Sequence, residues 1–335
     1  MSGEAPITVC KGICGLGNRL LFLTEVMRRC QRVGSRLYVS WNDYMYSDTP
    51  NENAFPRAFV LHPRFDAGVR EIRQLCDLSV WPPMWAGLLD KDIYSLPERY
   101  REISEASVAS DGPPPATDIE VLFGAPPPYR NRSDLERLGS LLVENISPSF
   151  WITQETERFY IERLAGGPSL GVHVRQCSWE KRKIDRGDLH QRIESFLASS
   201  TYARVFLATD GSDVVDEFRF RFGERLVTRP KWMSPEPHAL GRMEPSSLHK
   251  RRPGFRQVGE PPAHVMLKDA AVELQLLARC DQLMYQQDSG FSVVAALFAR
   301  AAGHAIEPWG EHSPTLRQSL FEQMLTRAAA ARGSM

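Results

Sequence analysis

His173 and Arg175 stand two residues apart at the end of an apolar run, SLGVHVR at positions 169–175. Leu170, Val172 and Val174 alternate with Gly171, His173 and Arg175, which is the period of a β-strand. The imidazole and the guanidinium therefore share one strand face and can grip one ligand together. Arginine suits an anion, because its planar fork meets phosphate oxygens in pairs and it keeps its charge. The plain alternative is a strand end with a surface arginine and a satisfied core histidine. Two further strand ends carry polar groups. Arg204–Thr209 runs into Asp210. Gln282–Gln287 leads through Asp288 to Ser289-Gly290, directly ahead of an apolar helix over Phe291–Ala301. A hydroxyl and unpaired backbone N–H groups at a helix N-terminus favour a phosphate. Ligands of open α/β sheets bind outside the carboxyl ends of the strands.

The elements that must position these groups are legible as alternating strands and helices. Ile7–Lys11 predicts a first strand. It enters a glycine-rich turn, Gly12 to Arg19 with Gly15, Gly17 and Asn18, and then an apolar helix stopped by Gly34, with a second strand over Arg36–Trp41. The glycine spacing is G-x-x-G-x-G, which is neither the dinucleotide fingerprint nor a P-loop. It fits equally a backbone that approaches a ligand and a tight strand-to-helix turn. Residues 42–118 carry weaker signals: polar loops, and an aromatic, proline-stiffened stretch Trp81-Pro82-Pro83-Met84-Trp85 that suits either a sugar-stacking surface or core. Ile119–Phe123 predicts a strand. Ser133–Asn145 predicts a helix opened by a Ser133/Glu136 capping box, and Ser147-Pro148-Ser149 a break in the chain. Helices are expected over Thr153–Leu164, Asp188–Ala198, Asp213–Phe222, Val265–Ala278 and Pro314–Ala331, and short strands over Leu226–Thr228 and Ala305–Ile306. A long loop fills 229–262.

This order predicts an α/β protein of two Rossmann-like, doubly wound domains facing a cleft. The two domains are expected over residues 1–150 and 151–312, with a terminal helix over 313–335. The chain has 335 residues and a formal net charge of zero. That argues against a broad nucleic-acid-binding face and leaves room for a local basic pocket. Six scattered cysteines without paired zinc spacing read as free thiols. With neither a signal peptide nor a membrane span expected, a cytoplasmic location is expected.

Four stretches together resemble a known family: CGLGNRLLFL at 14–23, GVHVR at 171–175, VFLATD at 205–210 and VELQLLARCDQLMYQQDSGFS at 272–292. They are similar, in the same order, to the α-1,6-fucosyltransferases and the bacterial nodulation fucosyltransferases of GT-B-like fold. The resemblance implies a GDP-fucose donor, inversion at the anomeric carbon, no metal and no other cofactor. It implies that Arg175 holds the β-phosphate, that His173 lies near the guanine and that Glu273 accepts from the guanine N1–H and N2–H. Ser289 and Gly290 match the phosphate clamp, and Gly15, Gly17 and Asn18 the loop facing donor and acceptor. Glu180 matches the position of a glutamate and is the first candidate for general base, with Asp210 and Asp43 as rivals; the alternative for Glu180 is a solvated member of the charged run 180–183. The sequence departs from relatives that read H-x-R-R-x-D, since Gln176-Cys177-Ser178 follow Arg175. The partners implied are the GDP-sugar and a glycan or small-molecule acceptor.

Other function classes are weighed on particular residues. A metal-dependent glycosyltransferase would use an Asp-x-Asp motif. Asp90-Lys91-Asp92 is one, but no apolar strand precedes it, so it reads as surface. A catalytically silent glycan- or nucleotide-binding module of the same fold is the remaining alternative.

Overall fold

The computed structural model describes residues 5–12, 15–43, 45–49, 52–92, 117–124, 132–175, 186–233, 261–287 and 289–310, with backbone alone over 132–138. Gln176, Cys177, Glu180, Asp288 and the helix expected over 314–331 lie outside the described residues.

The first sheet contains β1 (Ile7–Gly12), β2 (Arg36–Val39), β4 (Val80–Trp81) and β5 (Ile119–Gly124), all parallel, in the order β2-β1-β5-β4. Between β1 and β2 runs α1 (Leu16–Val33), which stops at Gly34 in the left-handed conformation that glycine adopts without strain. The second sheet contains β7 (Ser169–Val174), β8 (Arg204–Thr209), β9 (Leu226–Val227), β10 (Gln282–Gln286) and β11 (Ala305–Trp309) in the order β11-β10-β7-β8-β9, again all parallel. This is the doubly wound order, with its switch point between β7 and β10. Every residue of β7 is buried, as expected for a strand covered on both faces. The helices are α2 (Phe55–Ala58), α3 (Arg132–Asn145), α4 (Phe150–Arg163), α5 (Gly187–Ala198), α6 (Ser212–Phe222), α7 (Ala263–Arg279) and α8 (Gly290–Ala301).

Side-chain alternation sorts these layers. Val205 and Leu207 pack with Leu189, Ile193 and Phe218 of α5 and α6, whereas Phe206 and Ala208 face the core of α7 and α8. That second core is shared. Leu20 and Val26 of α1, Trp41, Phe55 and Phe59 belong to the same apolar cluster as Leu267, Leu274 and Val294. The two sheets are joined through packed helices rather than through a hinge of bare loop. Asp48 adds a polar link: its carboxylate accepts from the Ala263 and His264 backbone N–H groups at 2.8 and 3.3 Å and meets His264 Nδ1 at 2.7 Å, so it caps α7 from the far part of the chain.

Some local expectations change. Ser147-Pro148 is not a break: Ile146–Pro148 forms β6, antiparallel to β3 (Phe59–Leu61). The next helix starts at Phe150 rather than Thr153. Trp85 is fully buried against Phe123, so this half of the aromatic stretch is core and not a stacking surface. Cys10, Cys30, Cys76 and Cys280 are free thiols, and burial pushes Cys10 and Cys280 far above the ordinary thiol range. Among the described residues no helix is long and apolar enough to cross a membrane.

Candidate functional site

The switch point of the second sheet gathers the predicted groups. His173 lies at the end of β7, 6% exposed, with its ring 5.0 Å from that of Phe291 at the start of α8. Burial lowers its pKa to about 3, opposed by Asp210 and reinforced by Arg175 and Lys231, so the imidazole is neutral. Its Nδ1 has no hydrogen-bond partner among the described residues. A buried, neutral ring nitrogen without a partner is costly unless something else meets it. Arg175 follows with an exposed side chain, and its backbone N–H donates to Gln286 Oε1 at 2.8 Å. Gln286 is buried at the end of β10, and its own N–H donates to Ser292 Oγ at 2.7 Å. The crevice is therefore pinned across its own switch point by Gln286, a residue that sequence reasoning passed over.

The helices that close the crevice meet at glycine. A Cβ on Gly17 would stand 2.2 Å from Phe291 N and 2.3 Å from Gly290 C, so only glycine allows the first turns of α1 and α8 to touch. Two helix N-termini thus converge beside β7 and β10, and their dipoles favour an anion between them. Ser289 is buried and caps α8, its Oγ accepting from Ser292 N. Gly290 is buried, Gly15 exposed and Asn18 half-buried.

On the other side of His173 lies α7. A Cβ on Gly171 would come within 3.1 Å of Leu277 O, so the helix rides directly on the strand there. Moving two residues up the strand to His173 and four residues back along the helix to Glu273 covers about 6 to 7 Å on each. Glu273 is therefore level with His173. Its carboxylate is buried and held by Lys231 Nζ at 2.5 Å. Burial raises its pKa, and Lys231 and then Arg229 lower it. Lys231 lies in the segment read as loop and was not singled out from the sequence. Asp210 is half-buried at the end of β8, close enough to act on His173.

The carboxyl end of the first sheet is built differently. Asp43, a rival for the general base, is almost fully buried in a two-pronged pair with Arg19, Nη1 to Oδ2 at 2.7 Å and Nη2 to Oδ1 at 2.9 Å. The Arg19 guanidinium also lies over the Trp41 and Tyr46 rings. Both carboxylate oxygens are thus engaged by the guanidinium. Lys11, fully buried at the end of β1, donates to Ser40 Oγ at 3.3 Å and Asn42 Oδ1 at 3.1 Å. Burial lowers its pKa to about 8. The Asp-x-Asp stretch takes part through its backbone: Asp90 O accepts from Asn42 Nδ2 at 2.8 Å, and Lys91 O lies 3.5 Å from Lys11 Nζ. Its reading as mere surface is corrected to that extent.

A paired-sheet α/β frame with its crevice at the switch point of the second sheet is the GT-B-like arrangement. Comparisons with known proteins agree on that class. NodZ α-1,6-fucosyltransferase, in a crystal soaked with GDP-fucose, superposes with a TM-score of 0.57 at 21% identity, over 88% of this chain and 93% of that one. POFUT1 in complex with GDP superposes with a TM-score of 0.55 at 13% identity, over 93% of this chain and all of the other. In sequence the chain is 27% identical over 302 residues to nodulation protein Z of Azorhizobium caulinodans, across 86% of this chain and 88% of that protein. No family model matches the chain. The resemblance first drawn from four short motifs thus extends over most of the length.

Proposed function

We propose that this protein is an inverting glycosyltransferase that moves fucose from GDP-fucose to a hydroxyl of a glycan or other small acceptor. The observation that carries the reading is His173, buried, neutral and with Nδ1 unpartnered among the described residues, within reach of Arg175, Asp210 and Lys231 at a crevice where two helix N-termini meet. That is a polar crevice, with two helix N-termini that favour an anion, on a frame whose neighbours include proteins crystallised with GDP-fucose and with GDP.

In the proposed reaction an acceptor oxygen attacks the anomeric carbon as the bond to the β-phosphate oxygen breaks on the opposite face. Charge grows on the departing GDP, and Arg175 with the converging N-termini of α1 and α8 offsets it, so that no metal is required. Glu273 accepts from two adjacent N–H groups of guanine, a pattern that adenine cannot offer. The acceptor proton goes to a carboxylate. Glu180 remains the first candidate and Asp210 the second, while Asp43 is withdrawn because Arg19 holds it. Residues 1–150 take the acceptor and 151–312 the donor, in a protein of the cytoplasm.

The test is thermal stabilisation by a panel of GDP- and UDP-sugars, followed by mass spectrometry of acceptor glycans incubated with the stabilising donor in EDTA. Stabilisation by GDP-fucose with a mass gain of one deoxyhexose is expected. Binding of GDP without any transfer or hydrolysis would favour the silent module, and activity lost in EDTA the metal-dependent reading.

A further inference from the structure

Arg229 and Lys231 follow β9 and pair with α7. Arg229 Nη1 donates to Asp269 Oδ1 at 3.0 Å, and Lys231 Nζ to Glu273 Oε2 at 2.5 Å. The register is forced by geometry. Two residues of extended chain advance about 6.6 Å and four residues of helix about 6 Å. A basic residue at every second position therefore matches an acid at every fourth, and the segment is zipped onto the helix. The second tooth is the more enclosed: the Lys231 and Glu273 side chains are 15% and 5% exposed.

We propose that Lys231 is a positioning residue for donor recognition, holding the Glu273 carboxylate in place and ionised so that it can read guanine. This rests on the assignment of Glu273 to the guanine edge made above. A carboxylate accepts two parallel N–H groups only when it is ionised; protonated, it presents a donor to a donor. Burial works against the ionised form, and Lys231 is the strongest influence that favours it. The charged groups around the pair are few. Arg229 and Asp269 act on the Glu273 carboxylate from the segment and the helix, and on the side of β7 Lys231 is close enough to act on His173, as Asp210 and Arg175 are. His173 is neutral and Arg229 is committed to Asp269, so neither replaces the lysine.

The experiment measures GDP and UDP affinities by calorimetry between pH 6.5 and 8.5 for the wild type, Lys231→Gln, Lys231→Arg and Glu273→Gln. The diphosphate titrates alike in both nucleotides, so the GDP/UDP ratio isolates the base. The wild type and Lys231→Arg should hold a flat ratio. Lys231→Gln should lose at least about tenfold of it at pH 6.5, the worth of a hydrogen bond to a charged group, and recover as the pH rises. A ratio that is unchanged, or lowered equally at every pH, overturns the role of Lys231. Glu273→Gln keeping the wild-type ratio would instead overturn the guanine assignment. Difference infrared of wild type minus Glu273→Gln needs no lysine variant: a protonated carboxyl band at pH 7 overturns the proposal even if Lys231→Gln does not fold.

Discussion

At the end of the first sheet, Arg19 and Asp43 satisfy each other, and Lys11 is surrounded by Ser40, Asn42 and the Lys91 carbonyl. At the end of the second sheet, His173 keeps a ring nitrogen unpartnered among the described residues, and Arg175 presents an exposed side chain beyond a backbone pinned by Gln286. Both ends are polar, and both lie where a doubly wound sheet offers its crevice. The difference is where hydrogen-bonding capacity goes. In the first, among the described residues, it is spent internally and ties Lys11 and Arg19 to Ser40, Asn42 and Asp43. In the second, His173 Nδ1 is left over among the described residues, which is a condition for binding something else. Substitutions at the first end should therefore move stability, and those at the second should move donor chemistry.

The largest effect is expected at Asp43. Asp43→Ala leaves the fully buried Arg19 without its carboxylate, a loss of about 3–5 kcal/mol for a broken buried pair. Urea unfolding followed by circular dichroism checks it. A variant as stable as the wild type would show that the first end is not held by this pair.

Arg175→Ala should do the reverse. Removing one preorganised donor to a developing charge costs about a hundred- to a thousandfold in turnover, roughly 3–4 kcal/mol. Its exposed side chain predicts little change in the unfolding midpoint. The measurement is kcat for donor hydrolysis or transfer beside a melt of the same sample. A large fall in stability with little change in turnover would invert the comparison.

Lys11 sharpens it through pH. Its pKa is about 8 in the folded protein, below the ordinary lysine value. The unfolded chain then binds more protons between about pH 8 and 10.5, so stability contributed at this site rises with pH across that window. The whole swing is roughly 3 kcal/mol at about 1.4 kcal/mol per pKa unit. Below about pH 8 both states are protonated and the penalty for burying the ammonium is fully present. Subtracting the pH–stability curve of Lys11→Met from that of the wild type should leave this slope; a flat difference would mean that the ammonium is not buried at this cost.

Much of this is legible in the sequence. The strands β1, β7, β8 and β10 are largely apolar runs that end in or run into polar residues, β5 is one that ends at glycine, and periodicity alone places them. His173, Arg175 and Asp210 stand at those ends, so the sequence points at the crevice directly. Lys11 did not stand out, because a lysine closing an apolar strand looks like its solvent end, and only the turn around Asp90 buries it. Lys231 lies 42 residues from Glu273, and its zipper pairs a two-residue period with a four-residue one. No window along the sequence contains that match. In sequence Gly17 fits either a backbone that approaches a ligand or a tight strand-to-helix turn; the space of its missing side chain is filled by the backbone at Gly290 and Phe291, a contact that no local pattern shows. The strands β3 and β6 are three residues each, too short for alternation to register, and Pro148 on an edge looks like an interruption.

The smallest effect tests whether the two ends are independent. Asp48 sits in the first part of the chain yet caps α7, the helix that carries Glu273. Asp48→Ala removes an acceptor from two backbone N–H groups and should cost about 1 kcal/mol of stability. Asp48→Asn keeps an oxygen for the Ala263 N–H and should recover most of it. The cap lies at residue 263 and Glu273 almost three turns further along the helix, while Lys231 and Arg229 hold the intervening face. Loosening the first turn should therefore leave the carboxylate where it is. GDP affinity is expected to stay within about twofold of the wild type, since terminal fraying is confined to the first turn. If instead GDP affinity falls in step with stability, the first part of the chain helps to set donor binding through α7, and the division between a sealed end and a receptive one would have to give way to a single coupled site.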